Sequence, residues 1–88
     1  MVNVVSVEPA ENYKLRIVLS NNKRGLFDVS PYLEKGVFRE LKDLSYFRRV
    51  RAAYGGVVWP HKQDFSAETI EYEMQPDTVS SSTSLPTR

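Results

Sequence analysis

Residues 54–74 constrain the fold of this chain more than any other stretch. They read Tyr54-Gly-Gly-Val-Val-Trp-Pro-His-Lys-Gln-Asp-Phe-Ser-Ala-Glu-Thr-Ile-Glu-Tyr-Glu-Met. Two glycines between alternating apolar runs signal a hairpin, so Val50, Ala52 and Tyr54 are expected to pair back through a Gly55-Gly56 turn with Val57-Val58-Trp59. A polar corner follows Trp-Pro. Ser66 then caps a short helix in which Ala67, Ile70 and Met74 form one apolar stripe. Glu68 near the helix start suits the positive end of its dipole. The block is a structural signature and carries no catalytic constellation.

Upstream, the β-branched run from Val2 to Val7 favours a strand, and Pro9-Ala-Glu-Asn12 reads as a turn in which Asn12 tolerates a left-handed backbone. Tyr13, Leu15, Ile17 and Leu19 alternate with Lys14, Arg16, Val18 and Ser20, the period-2 pattern of a half-buried strand whose first set faces the core. Asn21-Asn22-Lys23-Arg24-Gly25 supplies the next turn. Leu26-Phe27-Asp28-Val29 returns as a third strand with Phe27 and Val29 inward. Ser30-Pro31 opens a helical turn, the serine capping and the proline fitting the first helical position. Gly36 ends that turn by a left-handed stop. Phe38 and Leu41, three apart, share a face, and residues 31–49 read as a compact helical connection. After Gln75-Pro76 the composition turns to serine and threonine, too poor in apolar surface to order itself. A single α+β domain over 1–75 and a flexible tail over 76–88 are expected.

Eighty-eight residues make one domain, and a chain of this size buries only roughly 60–65% of its unfolded surface. With no cysteine, no disulfide or thiolate metal site staples it. The core must rest on the aliphatic strands with Phe27, Phe38, Phe47, Phe65 and Trp59. No stretch approaches the ~20 apolar residues that span a bilayer, and the N-terminus lacks the pattern of a signal peptide. A cytoplasmic protein with no membrane association is expected.

The net charge of +1 hides a segregation. Residues 35–51 carry six basic side chains against two acidic ones, and residues 64–77 carry five acidic and no basic ones. The two stretches are expected either to neutralise one another across the fold or to present separate faces.

Two stretches together resemble a known family. Leu26-Phe-Asp-Val-Ser-Pro-Tyr-Leu-Glu-Lys-Gly-Val-Phe-Arg-Glu-Leu41 is similar to the F-D-V-S-P-L-L … G-x-F-x-x-L block of the bacterial domain-of-unknown-function family 2442. Tyr46-Phe47, Val57-Val-Trp-Pro and Asp64-Phe-Ser-Ala-Glu-Thr-Ile follow that family's Y-F … I-x-W-P-N-G-x-D-I-A-P-E-T-L in order. His61-Lys62 stands where the family often has Asn-Gly, and Ala67 where it tends to have proline. The resemblance implies a small α+β domain, found alone or joined to a helix-turn-helix domain, with genes that can lie beside another small protein in a toxin–antitoxin-like pair. It brings no established activity, cofactor or catalytic residue.

Candidate sites are few. His61 and Asp64 fall short of the three or four ligands a metal needs; His61 reads as an exposed corner residue, and Asp64 as a turn or cap residue before the last helix. Ser30 and Ser66 are helix caps, without the glycine-flanked elbow or positioned base of a serine nucleophile. The four glycines form no phosphate-cradling loop. No catalytic residue, cofactor or metal site is assigned, and an enzyme of unknown reaction ranks third. Trp59 reads as core before it reads as an interface anchor.

The expected fold is therefore a two-layer α+β domain: an N-terminal three-stranded antiparallel meander, a short helical connection, a β-hairpin and a C-terminal helix. The expected function is a small non-catalytic interaction module, antitoxin-like or regulatory, docking a protein partner through a sheet edge or a charged face. Arg48, Arg49 and Arg51 on the basic side and Glu68, Glu71 and Glu73 on the acidic side are the residues expected to carry it. The alternative is a nucleic-acid-associated regulator using the same three arginines beside Tyr46, Phe47 and Tyr54, although the pI of about 8.0 lies below the ~9 of a dedicated binder.

Overall fold

The structure is a computed structural model that describes residues 1–76. Strands β1 (Val4–Ala10), β2 (Lys14–Leu19) and β3 (Arg24–Asp28) form the expected antiparallel meander. In β2 the alternation does what its pattern demands: Leu15, Ile17 and Leu19 are buried and Arg16 is exposed. β1 breaks its alternation because the register shifts between Val4 and Ser6, leaving Val5 as the extra, exposed residue of a bulge. Asn12 takes a φ of 59° in the β1–β2 turn.

The helical connection consists of two 3-10 segments, Ser30–Tyr32 and Gly36–Lys42, and one turn of α-helix, α1 (Leu44–Phe47). Gly36 has the left-handed φ expected of it, at 46°. Ser30 is not the cap; the Asp28 carboxylate accepts from both the Ser30 N–H (2.9 Å) and its hydroxyl (2.7 Å). Asp43 repeats this arrangement at α1, accepting from the Ser45 N–H and hydroxyl, which holds its carboxyl below the usual range.

A second sheet follows, with β4 (Arg51–Ala53), β5 (Gly56–Val58) and β6 (Asp64–Phe65) in antiparallel order. Helix α2 (Ala67–Glu73) then packs against β3 and β5, and β7 (Gln75–Pro76) pairs with β3 to make the first sheet four-stranded. Ser66 caps α2 as expected, accepting from the Thr69 N–H at 3.2 Å. Residues 77–88, the rest of the expected tail, lie outside the described residues.

Two glycines read as turn residues sit in strands instead. Gly25 lies in β3 opposite Pro76, and Gly56 lies in β5 opposite Ala53. A Cβ at Gly25 would run into the carbonyl oxygen of Gln75, and one at Gly56 into that of Phe65. Close backbone approach is what glycine permits here. The hairpin turn accordingly moves one residue back, to Tyr54 (φ 54°) and Gly55 (φ 83°). Positive φ at both central residues suits the twist of flanking strands.

The core joins the inner face of the meander to the second sheet and α2. Phe65 is its aromatic centre, meeting Phe27 at 4.9 Å, Tyr32 at 4.9 Å and Phe38 at 5.0 Å between ring centroids. Trp59 is only 2% exposed, and its indole N–H donates to the Phe47 carbonyl at 2.8 Å. Tyr13 fastens the β1–β2 turn to the helical connection, its hydroxyl donating to the Lys42 carbonyl at 2.6 Å.

Candidate functional site

The most organised polar group surrounds Gln63, whose side chain is buried, with the residue 2% exposed. A buried amide must spend its donors and acceptor inside the protein. Its oxygen accepts from the Tyr46 hydroxyl (2.6 Å), and its nitrogen donates to the Val37 carbonyl (2.9 Å) and to Glu40 Oε1 (3.0 Å). The Tyr46 oxygen accepts in turn from the His61 N–H at 2.8 Å. His61 Nδ1 lies 2.6 Å from Glu40 Oε2, and its ring stacks on Tyr46 at 5.1 Å. A carboxylate can only accept, so that nitrogen carries the proton. Gln63, and then His61, hold the Glu40 carboxyl below its usual range.

This closed circuit clamps the corner after β5 onto the 3-10 segment Gly36–Lys42. His61 is exposed at its corner, as the sequence suggested, but its partner is Glu40 and not Asp64. Asp64 neither turns the chain nor caps α2; it is an exposed residue of β6 opposite Val58. Among the described residues no three His, Cys, Asp or Glu side chains converge as a metal would require. The signal for Gln63 lies in parity: Val57, Trp59, Gln63, Phe65 and Ala67 are all buried at odd positions, so a two-residue period carried through the corner points Gln63 inward.

The basic and acidic stretches do not neutralise one another. Arg48, Arg49 and Arg51 are exposed, and among the described residues none has an ion pair; the pairs found are Lys23–Glu71 (3.2 Å), Lys42–Glu34 (2.7 Å) and His61–Glu40 (2.6 Å). On the acidic side, Glu71 also accepts from Asn21 (2.9 Å), and Glu73 accepts from the Tyr32 hydroxyl (2.7 Å). Those bonds lower the Glu71 carboxyl, with Asn21 as the larger cause, and raise the Tyr32 phenol, chiefly through its bond to Glu73. Two of the three candidate glutamates are thus engaged within the fold. Glu68 is exposed in the first turn of α2.

The three arginines do not share one depression either. Arg48 borders a hollow of about 460 Å³ with Pro9, Glu11, Leu44 and Phe47, between the β1–β2 turn and α1. Arg51 borders another of about 360 Å³ with Tyr54, Pro60, Lys62 and Asp64, on the second sheet. Of the three aromatics beside the arginines, Tyr46 and Phe47 are buried and only Tyr54 is exposed. Among the described residues no helix is long and apolar enough to cross a membrane.

No curated protein and no solved structure matches this chain. A family model does, over residues 4–76, which takes in both sheets, the Gln63 clamp and α2. The paired motifs at 26–41 and 57–70, now seen as the strand leading into the helical connection and as the second sheet leading into α2, are what that match covers. The chain belongs to the family described as Protein of unknown function (DUF2442).

Proposed function

We propose that the protein is a non-catalytic docking module, cytoplasmic and regulatory or antitoxin-like, whose basic end receives an acidic surface of a protein partner. The observation that carries this reading is the hollow beside Arg48. There an arginine without an ion pair among the described residues lies next to Leu44, 48% exposed, over a recess of about 460 Å³. A free guanidinium beside an apolar side chain is the composition of interface anchors. A partner fits it by setting a carboxylate on Arg48 and an apolar side chain against Leu44.

A face is better supported than a sheet edge. Both outer strands of the four-stranded sheet carry proline, Pro9 in β1 and Pro76 in β7, and proline offers no N–H to an added strand. The outer strands of the smaller sheet have only three and two residues. The non-catalytic part of the reading is supported by the chemistry of the polar groups: the single histidine is spent on Glu40, and Ser30 and Ser66 on local backbone and side-chain bonds.

The test is capture from the native host at moderate salt with nuclease treatment, followed by titration of the purified companion. Wild type should retain a stoichiometric small protein. Arg48→Glu, on an exposed position, should keep the same melting temperature and lose that companion. A companion bound equally well by Arg48→Glu and Leu44→Asp would sink the reading.

A further inference from the structure

The second hollow invites a different ligand. Tyr54 is 95% exposed, and among the described residues it has no hydrogen bond, ring contact or ion pair. Its φ of 54° places a bulky side chain in the left-handed region that asparagine or glycine enters more cheaply. The fold therefore gains little from a tyrosine here, and backbone strain at a ligand-facing position is a recognised pattern. Around that ring the strand register builds a polar surface. Arg51 lies opposite Val58 and Val58 opposite Asp64, so the three stand in one row on the outer face of the second sheet. Lys62 and Pro60 complete the recess of about 360 Å³.

We propose that this face binds single-stranded nucleic acid, with one base stacked on Tyr54 and the adjoining phosphates held by Arg51 and Lys62. An exposed ring in a basic groove is how sequence-tolerant single-strand binders work, because every base has a π-face and every nucleotide a phosphate. Asp64 supplies an acceptor for a base N–H. The site shares no side chain with the hollow at Arg48, so either can fail without the other.

The probes are fluorescein-labelled oligo(dT) and oligo(U) twelve-mers, titrated with the full chain and followed by anisotropy. Both should bind, with a log–log salt slope of about −1.4, since each phosphate contact on a single strand contributes about −0.7. Tyr54→Phe should bind as wild type. Tyr54→Asn, which relaxes the backbone, should melt no lower than wild type yet bind about five- to a hundredfold more weakly, the worth of one stacked base. Arg51→Ala should lower both the affinity and the salt slope. The proposal is overturned if anisotropy stays flat to about 10⁻⁴ M protein, the weak end of non-specific affinity. It is also overturned if Tyr54→Asn binds as well as wild type, or if poly-L-glutamate binds with the same dependence on Tyr54 and displaces the oligonucleotide.

Discussion

The Trp59 indole N–H meets the Phe47 carbonyl inside the core, 2.8 Å away, and so bolts the second sheet to the end of α1. Trp59→Phe removes the donor, leaves a buried carbonyl without it and opens space where the larger ring stood. Destabilisation of about 2–4 kcal/mol is expected, the unsatisfied acceptor and the lost volume acting together. Urea unfolding followed by circular dichroism should show a lower midpoint at an unchanged slope.

Gly25→Ala and Gly56→Ala should both destabilise by roughly 1–3 kcal/mol, as overpacking does when a neighbour must move. The neighbours are backbone carbonyls, Gln75 for the first and Phe65 for the second, so neither yields by a rotamer change. Thermal melts of the two variants would check this. A Gly25→Ala protein as stable as wild type would mean that β7 does not hold its place against β3.

Acid should loosen the Gln63 clamp. Glu40 has a folded pKa below its unfolded value, so its contribution to stability is complete above the unfolded value and is lost as pH falls through the folded one. Glu71 behaves alike through Asn21 and Lys23. The melting temperature of wild type should therefore drop between about pH 5 and pH 3. In Glu40→Gln, whose amide oxygen can still accept from Gln63, that drop should be smaller. An identical pH profile would show that the carboxylate contributes nothing.

Lys62 carries a φ of 83° in the corner after β5. Lys62→Gly removes a Cβ penalty of about 1–2 kcal/mol, against which the looser unfolded glycine sets about 0.5–1 kcal/mol. A small net gain in melting temperature is expected, with weaker oligonucleotide binding from the same substitution. A melting temperature that falls instead would show that the lysine stem packs usefully.

What could be read from the sequence follows the range of the forces involved. Leu15, Ile17 and Leu19 declare a strand by alternation alone, and Ser66 declares its helix because cap and capped amide lie three residues apart. Gly25 and Gly56 misled because glycine in a strand answers to a backbone arriving from elsewhere, here from β7 and β6, each two residues long and too short to leave a pattern. The clamp was hidden for a related reason: Gln63 and Glu40 are polar residues far apart in the chain, and nothing local marks them as partners. Exposure of the arginines was legible, but their division between two hollows depends on how α1 and β4 diverge after Phe47. The turn at Tyr54 also resisted reading, since a tyrosine with positive φ is not what local preference selects.

The pairing of β7 with β3 sets an order of assembly. Strands β1 to β3 meet through short loops and can zip up early, whereas Gln75 finds Leu26 only after the intervening half of the chain has been gathered in. Two residues of ladder are then all that fastens the end of α2 across the sheet. In native-state hydrogen exchange, the Gln75–Pro76 junction should be the first part of that sheet to open, with the amides of Leu15 and Ile17 the last to exchange. The molecule would come undone from the strand that closed it.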